Sequence, residues 1–268
     1  MKTAMERAAA FLFALLFTLA AGSGDPAAVN DGYPHGDPPY LLEAGWAPLL
    51  NGKSLAGWHG QDPSKKNEWI TAHAIRFEPV LDPKKLFAVA GPGGRILNGP
   101  AGRTVNLVTD AKFGDVELYV EFMVPQGSNS GVYLHGLYEV QVFDSFGVAE
   151  VKTSDCGAIY HQWIDDKPVG GSKPMVNASR RPGEWQSFQI WFEGPRFGPG
   201  GRKVRGARFV RVLHNGLLVQ KDFEVAGPTR AHMPIAEAAE NPVMLQGDHG
   251  PVAYRNLYIR PLRPIASR

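Results

Sequence analysis

Hydrophobic and polar residues alternate along much of this chain, and the alternation predicts strands rather than helices. Every even position of the segment 116–124 is apolar, whereas the odd positions include Glu117 and Glu121. A period of two is typical of a strand that buries one face and exposes the other. Shorter apolar runs recur, with turn residues between them, at 75–77, 104–109, 188–192, 209–214 and 254–259. Many short strands with few helical segments predict an all-β fold, a β-sandwich or jelly roll.

The residues between these runs favour tight connections. The chain contains 31 Gly and 22 Pro, the residues that most often interrupt strands and form turns. Asn215-Gly216 stands between His214 and Leu217 at the junction of two apolar runs. An Asn-Gly pair in this position predicts a two-residue hairpin, because both residues accept a positive φ.

The bulk composition indicates one domain and excludes several classes of function. No domain-sized shift in composition follows Trp46, so we predict a single domain over residues 45–262, preceded by an extended leader over 23–44 and followed by a tail over 263–268. The net charge of +2 is small and scattered, which does not indicate a nucleic-acid partner. Cys156 is the only cysteine, which excludes an intramolecular disulfide and a cysteine-based zinc site.

The N-terminus has the pattern of an export signal. Lys2 and Arg7 supply positive charge, an apolar run covers residues 8–21, and small residues follow. This arrangement predicts a signal peptide over residues 1–22 and a periplasmic or secreted protein. Because the run is too short and too close to the start for a membrane span, we expect no membrane insertion after the signal is removed.

The segment 129–145 carries the most informative pattern, because it predicts a strand pair with an unusual open face. Tyr133, His135, Glu139 and Gln141 share one parity, while the other parity is apolar. A solvated sheet face normally carries Lys, Thr and Ser. A phenol, an imidazole, a carboxylate and an amide together indicate a cleft that handles a carbohydrate substrate.

Four residues are candidate catalytic groups. Glu139 lies between His135 and a glutamine on an apolar-backed strand, and His135 is a candidate base, metal ligand or sugar-binding group. Asp144 would join Glu139 on the same face if a bulge intervened, and otherwise it opens the following turn. Glu121 is expected on the open face of its own strand, beside Tyr133 and His135, unless it is a solvated carboxylate.

Five residues are candidate substrate-binding groups: Asn129, Tyr133, Gln141, Gln246 and His249. The last two belong to a second polar cluster over residues 244–250, which can also be read as an ordinary polar turn. The amides and the phenol suit sugar hydroxyls.

The sequence carries no cofactor fingerprint. It contains neither a phosphate-cradling loop, nor a dinucleotide-binding motif, nor a nucleophile elbow. No close pair of histidines has the spacing of metal ligands. A divalent metal remains possible if His135, Glu139 and His249 come together in the fold.

Several motifs, in the order in which they occur here, resemble the 3-keto-disaccharide hydrolase domain family. The matching segments are 48–58, 113–122, 129–134, 138–145, 157–160, 182–186, 214–216, 245–250 and 255–257. The resemblance implies a jelly roll of the concanavalin A-like lectin/glucanase type with carbohydrate bound on its concave face. It also implies cleavage of 3-keto-glycosides, which we expect to proceed by removal of the C2 proton, elimination and hydration. Many relatives place Arg where this chain has His135, so the substrate-contacting group at that position differs.

Two other functions remain open from the residues alone. Glu139 and Asp144 loosely match the paired carboxylates of a retaining glycosidase of the glucanase type, although Gln141 stands where those enzymes carry an Asp. A non-catalytic, lectin-like module would use the same open face without an altered carboxylate. All three readings share a carbohydrate as the partner.

Overall fold

A computed structural model describes residues 38–263, and these residues form antiparallel strands with little helix. One short helix, α1 (Pro39–Leu42), precedes them. The strands are β1 (Ala47–Pro48), β2 (Trp58–Gly60), β3 (Ile70–Arg76), β4 (Phe87–Ala90), β5 (Arg95–Leu97), β6 (Leu107–Phe113), β7 (Val116–Met123), β8 (Asn129–Leu134), β9 (Tyr138–Phe143), β10 (Gln162–Ile164), β11 (Lys167–Val169), β12 (Gln186–Glu193), β13 (Arg196–Phe197), β14 (Lys203–Arg205), β15 (Ala207–His214), β16 (Leu217–Val225), β17 (Asn241–Leu245) and β18 (Ala253–Pro261).

The predicted signal peptide over residues 1–22 lies outside the described residues, as do most of the leader and of the tail. The domain boundaries at 45 and 262 stay a prediction. Within the described part of the chain, no helix is both long and apolar enough to cross a membrane.

The strands form two principal sheets. The larger sheet has nine strands in the order β16-β15-β12-β7-β18-β5-β3-β4, with β1 also paired to β18, and the smaller sheet has the order β2-β6-β17-β8-β9. Two small hairpins, β10-β11 and β13-β14, stand apart from both sheets. The all-β prediction and the jelly-roll β-sandwich are confirmed.

Alternating apolar residues from both sheets form one core. Leu118 and Val120 of β7 pack in the same buried cluster as Val132, Val140 and Val142 of β8 and β9. Because side chains alternate across a strand, the intervening residues of β8 and β9 face away from the larger sheet. The positions of the apolar residues therefore determine which face of the smaller sheet can carry a functional site.

Hairpin register then aligns the polar residues of β8 and β9. Tyr133 pairs with Glu139 and Gly131 pairs with Gln141, with no shift along the ladder. The Asn-Gly hairpin is also confirmed, since His214 pairs with Leu217 directly across it.

A long loop after β16 covers part of the outer face of the smaller sheet. The backbone N–H groups of Thr229 and Met233 donate to the carbonyls of Leu137 and Gly136, each at 2.8 Å. Met233 also packs in a small buried cluster with Tyr133. This loop, which we call the covering loop (residues 226–240), supplies one wall of the cavity described next.

Candidate functional site

A cavity of about 430 Å³ opens on the outer face of the smaller sheet. Its lining residues are Asn129, Tyr133, Glu139, Gln141, Tyr160, Arg230, Ala231, Gln246 and His249. The structure thus brings together one predicted catalytic residue and all five predicted substrate-binding residues. Three predicted catalytic residues lie elsewhere.

Glu139 is the buried carboxylate of this cavity. Glu139 is only 2% exposed. Its Oε2 accepts a hydrogen bond from the Tyr133 hydroxyl at 2.7 Å. Burial raises the pKa of Glu139 to about 8, the negative charge of Asp248 acts in the same direction, and the Tyr133 hydrogen bond opposes them. A carboxyl group with such a pKa can both accept and release a proton near neutral pH.

The position of the Glu139 carboxyl group depends on the absence of a Cβ atom at Gly131. A Cβ atom built at Gly131 would lie 2.2 Å from Oε1 of Glu139 and 2.9 Å from a ring carbon of Tyr133. Glycine is required here for space rather than for an unusual φ, because Gly131 lies in a regular strand. The glycine therefore lets the Glu139 carboxyl group approach the backbone of β8 closely.

Three amide oxygens in the cavity are left without a hydrogen bond. Oδ1 of Asn129, Oε1 of Gln141 and Oε1 of Gln246 are buried and have no partner among the residues that the structure describes. The Gln141 amide is held in place because its Nε2 donates to the carbonyl of Ser154 at 3.1 Å. Unpaired buried acceptors are costly unless a ligand supplies donors. Sugar hydroxyl groups are donors of this kind.

Two basic side chains, Arg230 and His249, complete the lining. Nδ1 of His249 lies 2.5 Å from Oδ1 of Asp248, and that hydrogen bond raises the pKa of His249 despite partial burial. The Arg230 guanidinium lies 4.0 Å from the ring centroid of Trp163, which fixes its plane by a cation–π contact. The cavity therefore combines one protonatable carboxyl group with the Arg230 guanidinium, a histidine whose pKa is raised, and several hydrogen-bond acceptors.

Glu121 lies on the opposite side of the sandwich, so its expected proximity to Tyr133 and His135 is wrong. Its strand β7 pairs with β12 and β18 in the larger sheet, not with β8. There the Glu121 carboxylate accepts hydrogen bonds from Arg255 at 2.5 Å and Asn256 at 2.9 Å. The alternation within the strand was correctly read, but it does not reveal which sheet the strand joins.

His135 shares the parity of Tyr133 but does not share its face. The residue lies beyond the end of β8 with a φ of 57°, so the alternation stops and the imidazole turns into the sandwich. Its Nε2 lies 3.1 Å from the carbonyl of Gly114, and its ring packs edge-on against Phe192 at 5.1 Å. Burial lowers the pKa of His135, which favours a neutral, structural imidazole.

Asp144 opens the turn after β9, which was one of its two predicted roles. Its Oδ2 accepts a hydrogen bond from the backbone N–H of Gly127 at 2.8 Å, and no bulge interrupts the pairing of β8 with β9. The second carboxylate expected beside Glu139 is therefore not supplied by Asp144.

The hypothetical metal set is not assembled, because His135 lies outside the cavity that holds Glu139 and His249. Among residues 38–263, no group of three or more His, Cys, Asp or Glu side chains is arranged to hold a metal ion.

Sequence reasoning missed Tyr160 and Arg230. Tyr160 follows the segment 157–159, where Ile159 bridges to Val140 and brings the phenol over the cavity. Arg230 belongs to the covering loop. Its backbone N–H donates a hydrogen bond to the carbonyl of His161 at 2.8 Å, which holds the residue at the cavity. The motif at 157–160 could have indicated Tyr160, but no local pattern marks Arg230.

Comparison with known proteins supports a carbohydrate-related family. The profile of the 3-keto-alpha-glucoside-1,2-lyase-like domain matches residues 45–260. No curated protein matches the chain.

Solved structures share the fold. One protein of Parabacteroides distasonis, provisionally described as a glycosyl hydrolase, has 24% identity and a TM-score of 0.57, over 82% of this chain and 84% of its own. A second protein from that organism, described in the same way, has 17% identity and a TM-score of 0.51, over 82% of this chain and 94% of its own. At these identities the likeness extends to the fold alone.

Proposed function

The chain belongs to the family of 3-keto-alpha-glucoside-1,2-lyase-like domains, and we propose that it cleaves 3-keto-glycosides by elimination. Membership of this family makes the chain a carbohydrate-active protein. The observation that carries the finer proposal is Glu139, a buried carboxyl group with a pKa near 8 in a cavity of unpaired amide oxygens. A base of this strength suits the proton beside a ketone.

The proposed reaction begins at C2 of the oxidised sugar. Glu139 takes the C2 proton, and the electrons of the C–H bond form an enolate with the C3 ketone. The ketone is restored as the bond between C1 and the leaving oxygen breaks, which creates a double bond between C1 and C2. Addition of water across that double bond would then give the free 3-keto-sugar.

The two basic side chains have distinct proposed roles. Arg230 supplies positive charge for the enolate oxygen, since charge that develops in the transition state is best stabilised by fixed donors in a secluded site. His249 donates a proton to the leaving oxygen. Its Nδ1 is occupied by Asp248, while its Nε2 makes no hydrogen bond to another described residue. Asn129, Gln141 and Gln246 accept hydrogen bonds from the sugar hydroxyl groups.

The retaining glycosidase is less well supported. Such an enzyme needs two carboxylates about 5–5.5 Å apart across the scissile bond. Glu139 is the sole carboxylate among the described residues that line the cavity, and Asp144 is engaged with the turn at Gly127.

Paired substrates test the proposal directly. The protein is incubated with a 3-keto-glucoside and with the same glucoside unoxidised, and products are separated by chromatography. Release of the aglycone from the oxidised substrate alone supports elimination. Release from the unoxidised substrate would favour the retaining glycosidase, and binding without products would favour the lectin-like module.

Replacing His249 by Gln should reduce turnover mainly for poor leaving groups. An alkyl 3-keto-glucoside needs a proton on its leaving oxygen, so kcat should fall by about 10²-fold or more. A 4-nitrophenyl 3-keto-glucoside releases a stable anion, so its kcat should fall far less. Initial rates for both substrates, with the uncatalysed rate subtracted, measure the difference. An equal loss for both would remove His249 from the role of acid.

We further propose that the protein acts after export, as the signal peptide predicted at residues 1–22 implies. N-terminal sequencing of the protein recovered from the periplasm or the medium tests this. A chain that keeps Met1 in the cytoplasm would contradict it.

A further inference from the structure

A second cavity adjoins the first on the same side of the molecule. Its volume is about 480 Å³, and its lining residues are Gln61, Asp62, Lys65, Lys66, Arg103, Thr104, Val105, Asn106 and Asp248. Asp248 belongs to this cavity, and its hydrogen-bond partner His249 belongs to the first. The two cavities therefore meet at the Asp248–His249 pair, and we call the second one the basic cavity.

Several side-chain acceptor atoms of the basic cavity are already engaged. Oε1 of Gln61 accepts a hydrogen bond from Nδ2 of Asn106 at 2.7 Å, and Oδ1 of Asn106 accepts one from the N–H of Gly247 at 2.9 Å. Oδ1 of Asp62 accepts from the backbone N–H of Ser64 at 3.0 Å and from its hydroxyl at 2.6 Å. These oxygens offer little to a ligand that brings donors.

The donors of the basic cavity remain available. Arg103 makes no hydrogen bond and no ion pair with another described residue, although it lines the cavity. Lys66 reaches Glu68 at 2.8 Å, and Lys65 lies 3.5 Å from Asp62; an ammonium group keeps further donors in both cases. The two cavities thus differ in hydrogen-bonding character, since the first presents unpaired acceptor oxygens beside Arg230, whereas the available groups of the second are mainly cationic donors.

The charged side chains of the basic cavity also indicate a site for an anionic ligand. Three cationic side chains and two carboxylates line the basic cavity. Asp62 is paired with Lys65 and Asp248 with His249. Arg103 acts on Asp248 only as a nearby positive charge, so its guanidinium has no direct ion-pair partner among the described residues. An exposed guanidinium in a concave site is suited to a carboxylate or a similar planar anion.

We propose that the basic cavity binds the leaving group of the substrate, and that the preferred substrates are 3-keto-glycosides whose aglycone carries a negative charge. This inference rests on the proposed function, because His249 places the leaving oxygen on the side where the two cavities meet. The sugar ring occupies the first cavity, whose acceptors match its hydroxyl groups. The anionic end of the aglycone lies against Arg103 and Lys66.

Two matched substrates test the inference. They are the 4-(carboxymethyl)phenyl and 4-(carbamoylmethyl)phenyl 3-keto-glucosides, which differ in charge while the methylene group keeps the two phenolic oxygens nearly equivalent as leaving groups. At low ionic strength we expect kcat/KM to favour the acid roughly fivefold, the effect of a partly exposed ion pair. Added salt should reduce the preference, since it screens the attraction.

Variants assign the preference to the cavity. In Arg103→Gln the ratio of kcat/KM for acid over amide should fall toward one, mainly through KM. The control is Arg202→Gln, an exposed arginine that lines neither cavity, which should keep the wild-type ratio. Equal kcat/KM for the two substrates in the wild type, or an unchanged ratio in Arg103→Gln, would overturn the inference.

A binding measurement separates this inference from the proposed function. If neither 3-keto-glucoside is cleaved, elimination is refuted. Calorimetry with the two unoxidised glucosides then still tests the basic cavity. Tighter binding of the acid that is lost in Arg103→Gln supports an anion-binding subsite, whereas equal binding of acid and amide refutes it.

Discussion

Replacing Glu139 by Gln is expected to lower kcat for a 3-keto-glucoside by about 10²–10⁴-fold, the usual contribution of a general base. The amide cannot take the C2 proton, but its oxygen can still accept the hydrogen bond that the Tyr133 hydroxyl gives to Glu139. The variant should therefore fold. Aglycone release is measured under saturating substrate, together with the melting temperature.

The matched control is Glu121→Gln. Glu121 is also a largely buried glutamate of a central strand, but it lies on the far side of the sandwich, in contact with Arg255. Turnover should stay at the wild-type level per folded molecule. Full activity in Glu139→Gln, or a comparable loss in Glu121→Gln, would contradict the assigned base.

The pH dependence gives a second check on Glu139. In the His249→Gln background, with a 4-nitrophenyl leaving group that needs no proton, the base should control the pH profile. Because burial raises the pKa of Glu139 to about 8, most molecules hold the protonated, inactive form at pH 6. The rate should therefore rise with pH and level off above about 8. A rate already constant from pH 5 would show that another group acts as the base.

Replacing Gly131 by Ala is expected to impair both activity and stability. The new Cβ would lie 2.2 Å from Oε1 of Glu139, so the carboxyl group must move. Displacing a catalytic group by about 1 Å can cost about 10²-fold in rate, and overpacking a filled site typically costs about 1–3 kcal/mol. Initial rates and urea denaturation measure the two effects.

Two comparisons make this prediction specific. Gly94→Ala is the matched control, since a Cβ at Gly94 meets nothing within 4 Å and its φ is ordinary, and it should leave the rate unchanged. In a Glu139→Gln background, Gly131→Ala should reduce the remaining rate far less than it does in the wild type, because both changes disable the same base. Fully additive losses would show that Gly131 acts independently of Glu139.

The sequence by itself determined several of the longer strands, their buried faces and the family. A period of two is a local property, so the segment 129–145 showed that Tyr133, Glu139 and Gln141 share a face opposite the apolar core. The register of β8 with β9 keeps that relation. The resemblance to the family depends on which motifs occur and in what order, and both can be read directly from the sequence.

Parity failed where the strand ended. His135 continues the alternation in the sequence. In the structure its φ is positive, and its ring turns into the sandwich and packs against Phe192. A local pattern does not reveal that the chain leaves the sheet at Leu134, because the stability of that turn comes from packing against strands distant in sequence.

Only the tertiary structure decided which strands are neighbours and what surrounds Glu139. Glu121 joined the larger sheet, and the covering loop brought Arg230 to the cavity from a region without a distinctive motif. The raised pKa of Glu139 likewise arises from burial and from the charge of Asp248. Alternation is fixed by the geometry of one strand, whereas neighbours, burial and pKa are fixed by long-range packing that no short segment encodes alone.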